Sequence, residues 1–221
     1  MEMTTAEASK RLGVTQRQIQ RLTQAGTLAQ TRRVGQTMTV DAASVAKLAD
    51  LQRHRGRPWS PPTAWAALWR LSGLDTPWVD RQTGRRMEQR LRHVTPAQLA
   101  WVCRLRARPM RYRASQSFLQ DLLSRVRPSG ASGLNPARDL MHPPTGQLDG
   151  YVTCGEHALI VNTYHLVEDH AGNVTLRITD DPTVTAWSGV MPAAVVGLDL
   201  LDSPDVRDNT AGRHLLEGLL P

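Results

Sequence analysis

Phenylalanine occurs once in 221 residues, tyrosine three times and cysteine twice. With so little Phe, the tryptophans Trp59, Trp65, Trp69, Trp78, Trp101 and Trp187 read as the aromatic fill of a core rather than as a stacking platform for bases. Cys103 and Cys154 are too few and too far apart for a disulfide framework or a zinc site, and read as reduced, partly buried small hydrophobes. No apolar run approaches the roughly 18 residues that span a bilayer. The opening "MEMTTAEASK" lacks the apolar centre of a signal peptide. The expectation is a soluble cytoplasmic protein without membrane contact.

Catalytic signatures are missing as well. No G-x-S-x-G, P-loop or H-E-x-x-H occurs. The histidines never stand with a Cys or carboxylate at metal-ligand spacing; "HLVEDH" comes nearest and reads as a surface strand and turn. Asp180-Asp181 beside Pro182 reads as a turn. Without a convergent acid, base or metal set, the expectation is no enzyme, no cofactor and no metal.

Lysine is the last scarcity, with only Lys10 and Lys47 among 27 cations. Arginine suits bidentate phosphate and guanine contacts, although a G+C-rich genome produces the same bias and is the plainer source of it. More telling is where the charge lies. Residues 1–113 carry 21 Lys+Arg against 7 Asp+Glu, and residues 114–221 carry 6 against 13, so the net +7 is a difference between +14 and −7. A polyanion suits the first half and is repelled by the second, which implies different partners for the two.

The first module, residues 1–53, is dense in local signals. Thr4 and Glu7 form a capping box for a first helix, Ala8 and Leu12 share its inner face, and Gly13 supplies a left-handed stop. Val14 anchors a short turn. Thr15 caps a second helix with Gln18 at the capping-box position; Ile19 and Leu22 face inward, leaving Gln16, Arg17, Gln20, Arg21 and Gln24 outside. "TLAQTRRVGQTMTVD" reads as two strands around a Val34-Gly35-Gln36 turn, with Leu28, Met38 and Val40 inward, and Asp41 caps a third helix. Helix, turn, helix, hairpin, helix is the order of a winged helix-turn-helix. Such a fold presents polar residues of its second helix to base edges, so Thr15, Gln16, Arg17, Gln20 and Arg21 are the candidate readers of double-stranded DNA. Arg32, Arg33 and Gln36 in the hairpin are candidate phosphate or minor-groove contacts. "QRQIQR" by itself reads more readily as an ordinary solvated helix face; turn, hairpin and positive field together favour DNA.

Residues 54–126 read as a basic, mostly helical connector. Arg53, Arg55 and Arg57 suit a solvated linker and a DNA-tracking arm equally. Ser60 caps a tryptophan-bearing helix ending at Gly73, a second basic helix spans about Asp80 to Arg92, and Thr95-Pro96 with Gln98 begins a third. Gly, Pro, Ser and Asn over residues 127–146 imply a loop or hinge. Residues 147–221 read as an acidic α+β domain: strands at "LDGYVT", "YHLVED" and "NVTLRIT", the last two joined by a turn at Asp169–Asn173, then helices at "PAAVVGLDLLD" and after a Ser203-Pro204 cap. The fold class expected is α+β.

"TTAEASKRLGVTQRQIQRLTQAGTL" resembles the opening helix-turn-helix of MerR-type regulators and excisionases. Over a longer span, "RGRPWSPPTAWAALWRLSG", "RYRAS", "LDGYV", "GNVTLRI" and "PAAVVGLDLLDSPDVRDNTAGRHLLEGLL" resemble, in that order, actinobacterial AbiEi-like antitoxins of type IV toxin-antitoxin systems. That resemblance implies a winged helix-turn-helix that binds operator repeats in its own promoter, and a remainder that opposes a nucleotidyltransferase-type toxin; the leading expectation is a homodimer of this kind. A plain winged-helix regulator with an effector- or protein-binding C-terminal domain is the alternative.

Overall fold

A computed structural model describes residues 2–34, 37–53, 57–134 and 146–221. Helices and strands are mixed throughout, as the α+β expectation has it. The chain forms two compact units, Met1–Gly56 and Arg57–Pro221. Among the described residues no helix is long and apolar enough to cross a membrane.

In the first unit the order is β1 (Glu2–Thr4), α1 (Thr5–Leu12), α2 (Gln16–Gln24), β2 (Gln30–Val34), β3 (Thr37–Asp41) and α3 (Ala42–Arg53). Thr4 caps α1 by accepting from the Glu7 amide at 3.2 Å, while the Glu7 carboxylate accepts from the Thr4 amide at 2.8 Å. Gly13 ends α1 with φ of +66°, a conformation that costs a residue with Cβ about 1–2 kcal/mol. Thr15 caps α2 by accepting from the Gln18 amide at 3.2 Å, but Gln18 does not return the bond, so the expected capping box is only half made. The three strands pair antiparallel in the order β1-β3-β2. β1 was not expected; it is too short to carry a periodic signal and is held by the register Glu2↔Asp41, Met3↔Val40. Ala8, Leu12, Ile19, Leu28, Val40, Val45 and Leu48 close the core, with Val14, Leu22 and Met38 packed at its margin.

The second unit takes in most of the expected connector together with the expected C-terminal domain. It runs through α4 (Pro61–Leu71), α5 (Arg81–Leu91), α6 (Pro96–Val102), β4 (Arg108–Arg113), a 3-10 turn at Gln116–Phe118, α7 (Leu119–Ser124), β5 (Arg127–Pro128), α8 (Gly130–Gly133), β6 (Leu148–Val152), α9 (Cys154–Thr163), β7 (Val167–Glu168), β8 (Val174–Ile178), α10 (Pro182–Thr185), α11 (Ala193–Asp202) and α12 (Val206–Leu219). The sheet order is β5-β6-β8-β4-β7. β6 and β8 run parallel, which requires the crossover that α9 supplies; the other pairs are antiparallel. Because β4 lies beside β8, residues 57–126 share one sheet and one fold with the acidic end.

Four local expectations are corrected. Residues 127–134 are not a loop: Arg127 and Pro128 pair with Tyr151 and Gly150, and Ser129 is fully buried. Residues 135–145 of the expected hinge lie outside the described residues. "YHLVED" is strand only at Val167–Glu168, since Tyr164 caps the C-terminus of α9, and β7 pairs with β4 rather than β8. Asp205, not Ser203-Pro204, caps α12 by accepting from the amides of Arg207 and Asp208. Cys103 is buried, which pushes its thiol up to about 12, but Cys154 is exposed.

The sheet is covered on both faces. Tyr112, Leu148, Val152, Val174, Leu176 and Ile178 pack with Leu119 and Leu122 of α7 and Ile160 of α9. The opposite face carries Asp149, Tyr151 and Arg177, which meet α11, a helix buried from Ala194 to Leu201. There the side chains lock into a charged network. Arg177 Nε and Nη2 donate to the two Asp149 oxygens at 2.7 and 2.8 Å, and its Nη1 lies 3.0 Å from Asp199 Oδ1. Arg106 Nη2 donates to the same Asp199 oxygen at 2.5 Å and Nε to the Tyr151 hydroxyl at 3.1 Å. Ser129 Oγ donates to Asp199 Oδ2. Burial opposes the charge on Arg177, but the Asp149 and Asp199 carboxylates more than reverse this and hold its pKa above the usual value. Burial raises the Asp149 carboxyl, and Arg177 reverses this only in part.

Candidate nucleic-acid interface

The polar face of α2 is built by two local devices. The Thr15 cap sets where the helix begins, and Ile19, fully buried, turns one side onto the core with Thr23, whose hydroxyl donates to the Ile19 carbonyl at 2.9 Å. With those positions inward, Gln16, Arg17, Gln20 and Arg21 are exposed, as are Thr15, Gln18 and Gln24. Gln16 with Gln20 and Arg17 with Arg21 stand four apart, so each pair forms a column whose Cβ atoms lie about 5–6 Å apart. The structure therefore brings the five sequence-expected residues of this helix to one continuous surface.

Neither Arg17 nor Arg21 enters an ion pair among the described residues, and α2 contains no acidic side chain. Two of the unit's four acids are engaged elsewhere. Glu7 is held in the α1 cap, where hydrogen bonds from Thr4 lower its pKa. Asp41 accepts from the Ser44 amide at 2.9 Å at the start of α3. A carboxylate beside Arg17 would neutralise the field that a polyanion meets; Glu7 and Asp41 serve caps instead.

The hairpin residues fare differently. Arg32 and Arg33 lie in β2, opposite Thr39 and Met38 in register, and Gln36 lies outside the described residues. Of the linker arginines, Arg53 ends α3, Arg55 lies outside the described residues, and Arg57 is exposed at the start of the second unit. The +14/−7 contrast does not follow the unit boundary: residues 1–56 hold 9 cations and 4 acids, and residues 57–221 hold 18 and 16.

The Arg106–Asp149–Tyr151–Arg177–Asp199 network escaped the sequence reading. Its signal was present as single charges inside apolar runs, Asp199 in "VVGLDLLD" and Arg177 in "VTLRI". Comparison with family models, with curated proteins and with solved structures finds no match for this chain.

Proposed function

We propose that the first unit is a winged helix-turn-helix that binds double-stranded DNA sequence-specifically, with α2 as recognition helix. One observation carries the reading: Gln16, Arg17, Gln20 and Arg21 share an exposed face without an acidic neighbour on their helix. Glutamine can pair bidentately with adenine and arginine with guanine in the major groove, and a recognition helix does this from its N-terminal turns. β2 and β3 form the wing, whose Arg32 and Arg33 contact phosphate. The protein then acts as an autoregulating antitoxin, homodimeric on operator repeats, whose second unit opposes a nucleotidyltransferase-type toxin.

A second reading gives the second unit a small-molecule effector in place of a toxin. It rests on a shallow, solvent-open depression of about 610 Å³ lined by Arg104, Leu105, Arg108, Pro109, Ile178 and Asp180 among others. Fluorescence anisotropy with DNA from upstream of the protein's own gene tests the DNA reading. Arg17→Ala and Arg21→Ala are each expected to weaken binding by about 1–3 kcal/mol, and Arg32→Ala to lower the salt slope by about 1. Unchanged affinity in both α2 variants would overturn it. Relief, on co-expression, of toxicity from a neighbouring nucleotidyltransferase gene separates antitoxin from plain regulator.

A further inference from the structure

The second unit carries an Arg/Gln surface of its own on α5. Gly84, Met87 and Leu91 bury one side of this helix. The other side holds two adjacent stripes, Arg81-Arg85-Glu88-Arg92 and Gln82-Arg86-Gln89-His93, and all eight residues are exposed. Arg81, Arg85, Arg86 and Arg92 form no ion pair among the described residues. The acids that could quench them are occupied: Glu88 is paired with Arg70, and Asp80 caps the helix by accepting from the Gln82 and Thr83 amides at 2.9 Å. No large apolar side chain stands on this face, so it lacks the apolar centre on which protein interfaces close. From Arg81 to Arg92 the stripe rises about 16 Å. Along the duplex axis, that length passes roughly five phosphates of one strand at 3.4 Å each.

We propose that α5 is a second DNA-contacting surface, which grips the phosphate backbone through Arg81, Arg85, Arg86 and Arg92 and is distinct from α2. The proposal rests on the DNA reading of the first unit for the identity of the polyanion. Chemically it differs, because guanidinium contacts to phosphate add affinity and salt dependence without reading sequence. Linking a backbone grip covalently to a reading helix makes the second contact intramolecular once the first has formed.

The test uses the full chain, a labelled mixed-sequence duplex and the protein's own upstream DNA, titrated by anisotropy between about 50 and 200 mM salt. Replacing all four arginines with Gln is expected to lower the slope of log affinity against log salt by about 0.9 for each contact removed, about 3.6 in all, on both duplexes. Replacement of the same four by Lys keeps the charge and is expected to keep the slope. Arg207→Gln with Arg213→Gln, exposed on α12, controls for net charge and is expected to leave the slope unchanged. An unchanged slope in the Gln variant, an equal loss in the α12 control, or the same loss in the Lys variant would overturn the proposal. Arg17→Ala separates the two surfaces: it is expected to remove the preference for upstream DNA and to keep the contribution of α5 to the slope. If Arg17→Ala is silent while the α5 variant loses slope, the recognition-helix reading fails and α5 stands. A wild-type chain that binds neither duplex overturns both.

Discussion

Arg177 is one residue in an alternating strand, and alternation normally sends every second side chain to water. In β8, Val174, Leu176 and Ile178 take one face, so "VTLRI" read in isolation points Arg177 outward. It is instead 4% exposed, because α11 covers the second face and brings Asp199 to it. That covering comes from sixteen to twenty-five residues downstream, and the alternation of the strand does not show it. By contrast, exposure of Arg17 and Arg21 was legible, since a Thr cap and two apolar residues three apart determine which side of α2 is dry. Removing Arg177 would leave the Asp149 and Asp199 carboxylates short of a buried counter-charge. Arg177→Met is therefore expected to destabilise the second unit by about 3–5 kcal/mol. Urea unfolding followed by tryptophan fluorescence checks this; a loss below about 1 kcal/mol would mean that water reaches the carboxylates and that the network is not sealed.

At the level of elements, termini were readable and partners were not. Thr4, Thr15 and Thr95 cap the helices expected of them, because a cap depends on residues within one turn. β7 shows the opposite case: its two residues pair with β4, across more than fifty positions of chain, rather than with the neighbour a turn at Asp169–Asn173 suggested. α12 shows how packing reverses a local preference. Alanine is favoured over glycine in a helix by about 1 kcal/mol, yet a Cβ at Gly212 would meet the Gly197 carbonyl oxygen and the Leu201 nitrogen of α11 at 2.6 Å. Both obstacles are backbone, so the helices themselves must part. Gly212→Ala is expected to cost about 1–3 kcal/mol despite its better propensity. A variant that melts at or above the wild-type temperature would show that α11 and α12 can separate freely.

Across the whole molecule, two compact units imply two cores that can fail separately. Ile19 is fully buried in the first, among Ala8, Leu12, Leu28 and Val40. Ile19→Ala is expected to remove about 2–5 kcal/mol from that unit alone, lowering one calorimetric transition while the transition of residues 57–221 stays in place. Equal displacement of all unfolding signals would show one cooperative block instead. The charge contrast along the chain takes on a different meaning at this scale. Residues 57–113 and 114–221, one basic and one acidic, are folded into each other, and part of their opposite charge is consumed in the Arg106–Asp199 and Arg113–Asp169 pairs.

The sequence by itself determined the mixed α+β class, the order of helices and hairpin in the first fifty residues, the exposed Gln/Arg face of α2, and the basic helix that became α5. Each of these follows from capping, periodicity or composition within a few turns of chain, where the interacting residues are near neighbours. Only the tertiary structure decided that the middle and acidic regions form one unit, that residues 127–134 belong to its core, and that Arg106, Arg177, Asp149 and Asp199 meet in its interior. Those outcomes depend on which face of a sheet another element covers, and hydrophobic pattern within a strand carries no information about a covering helix.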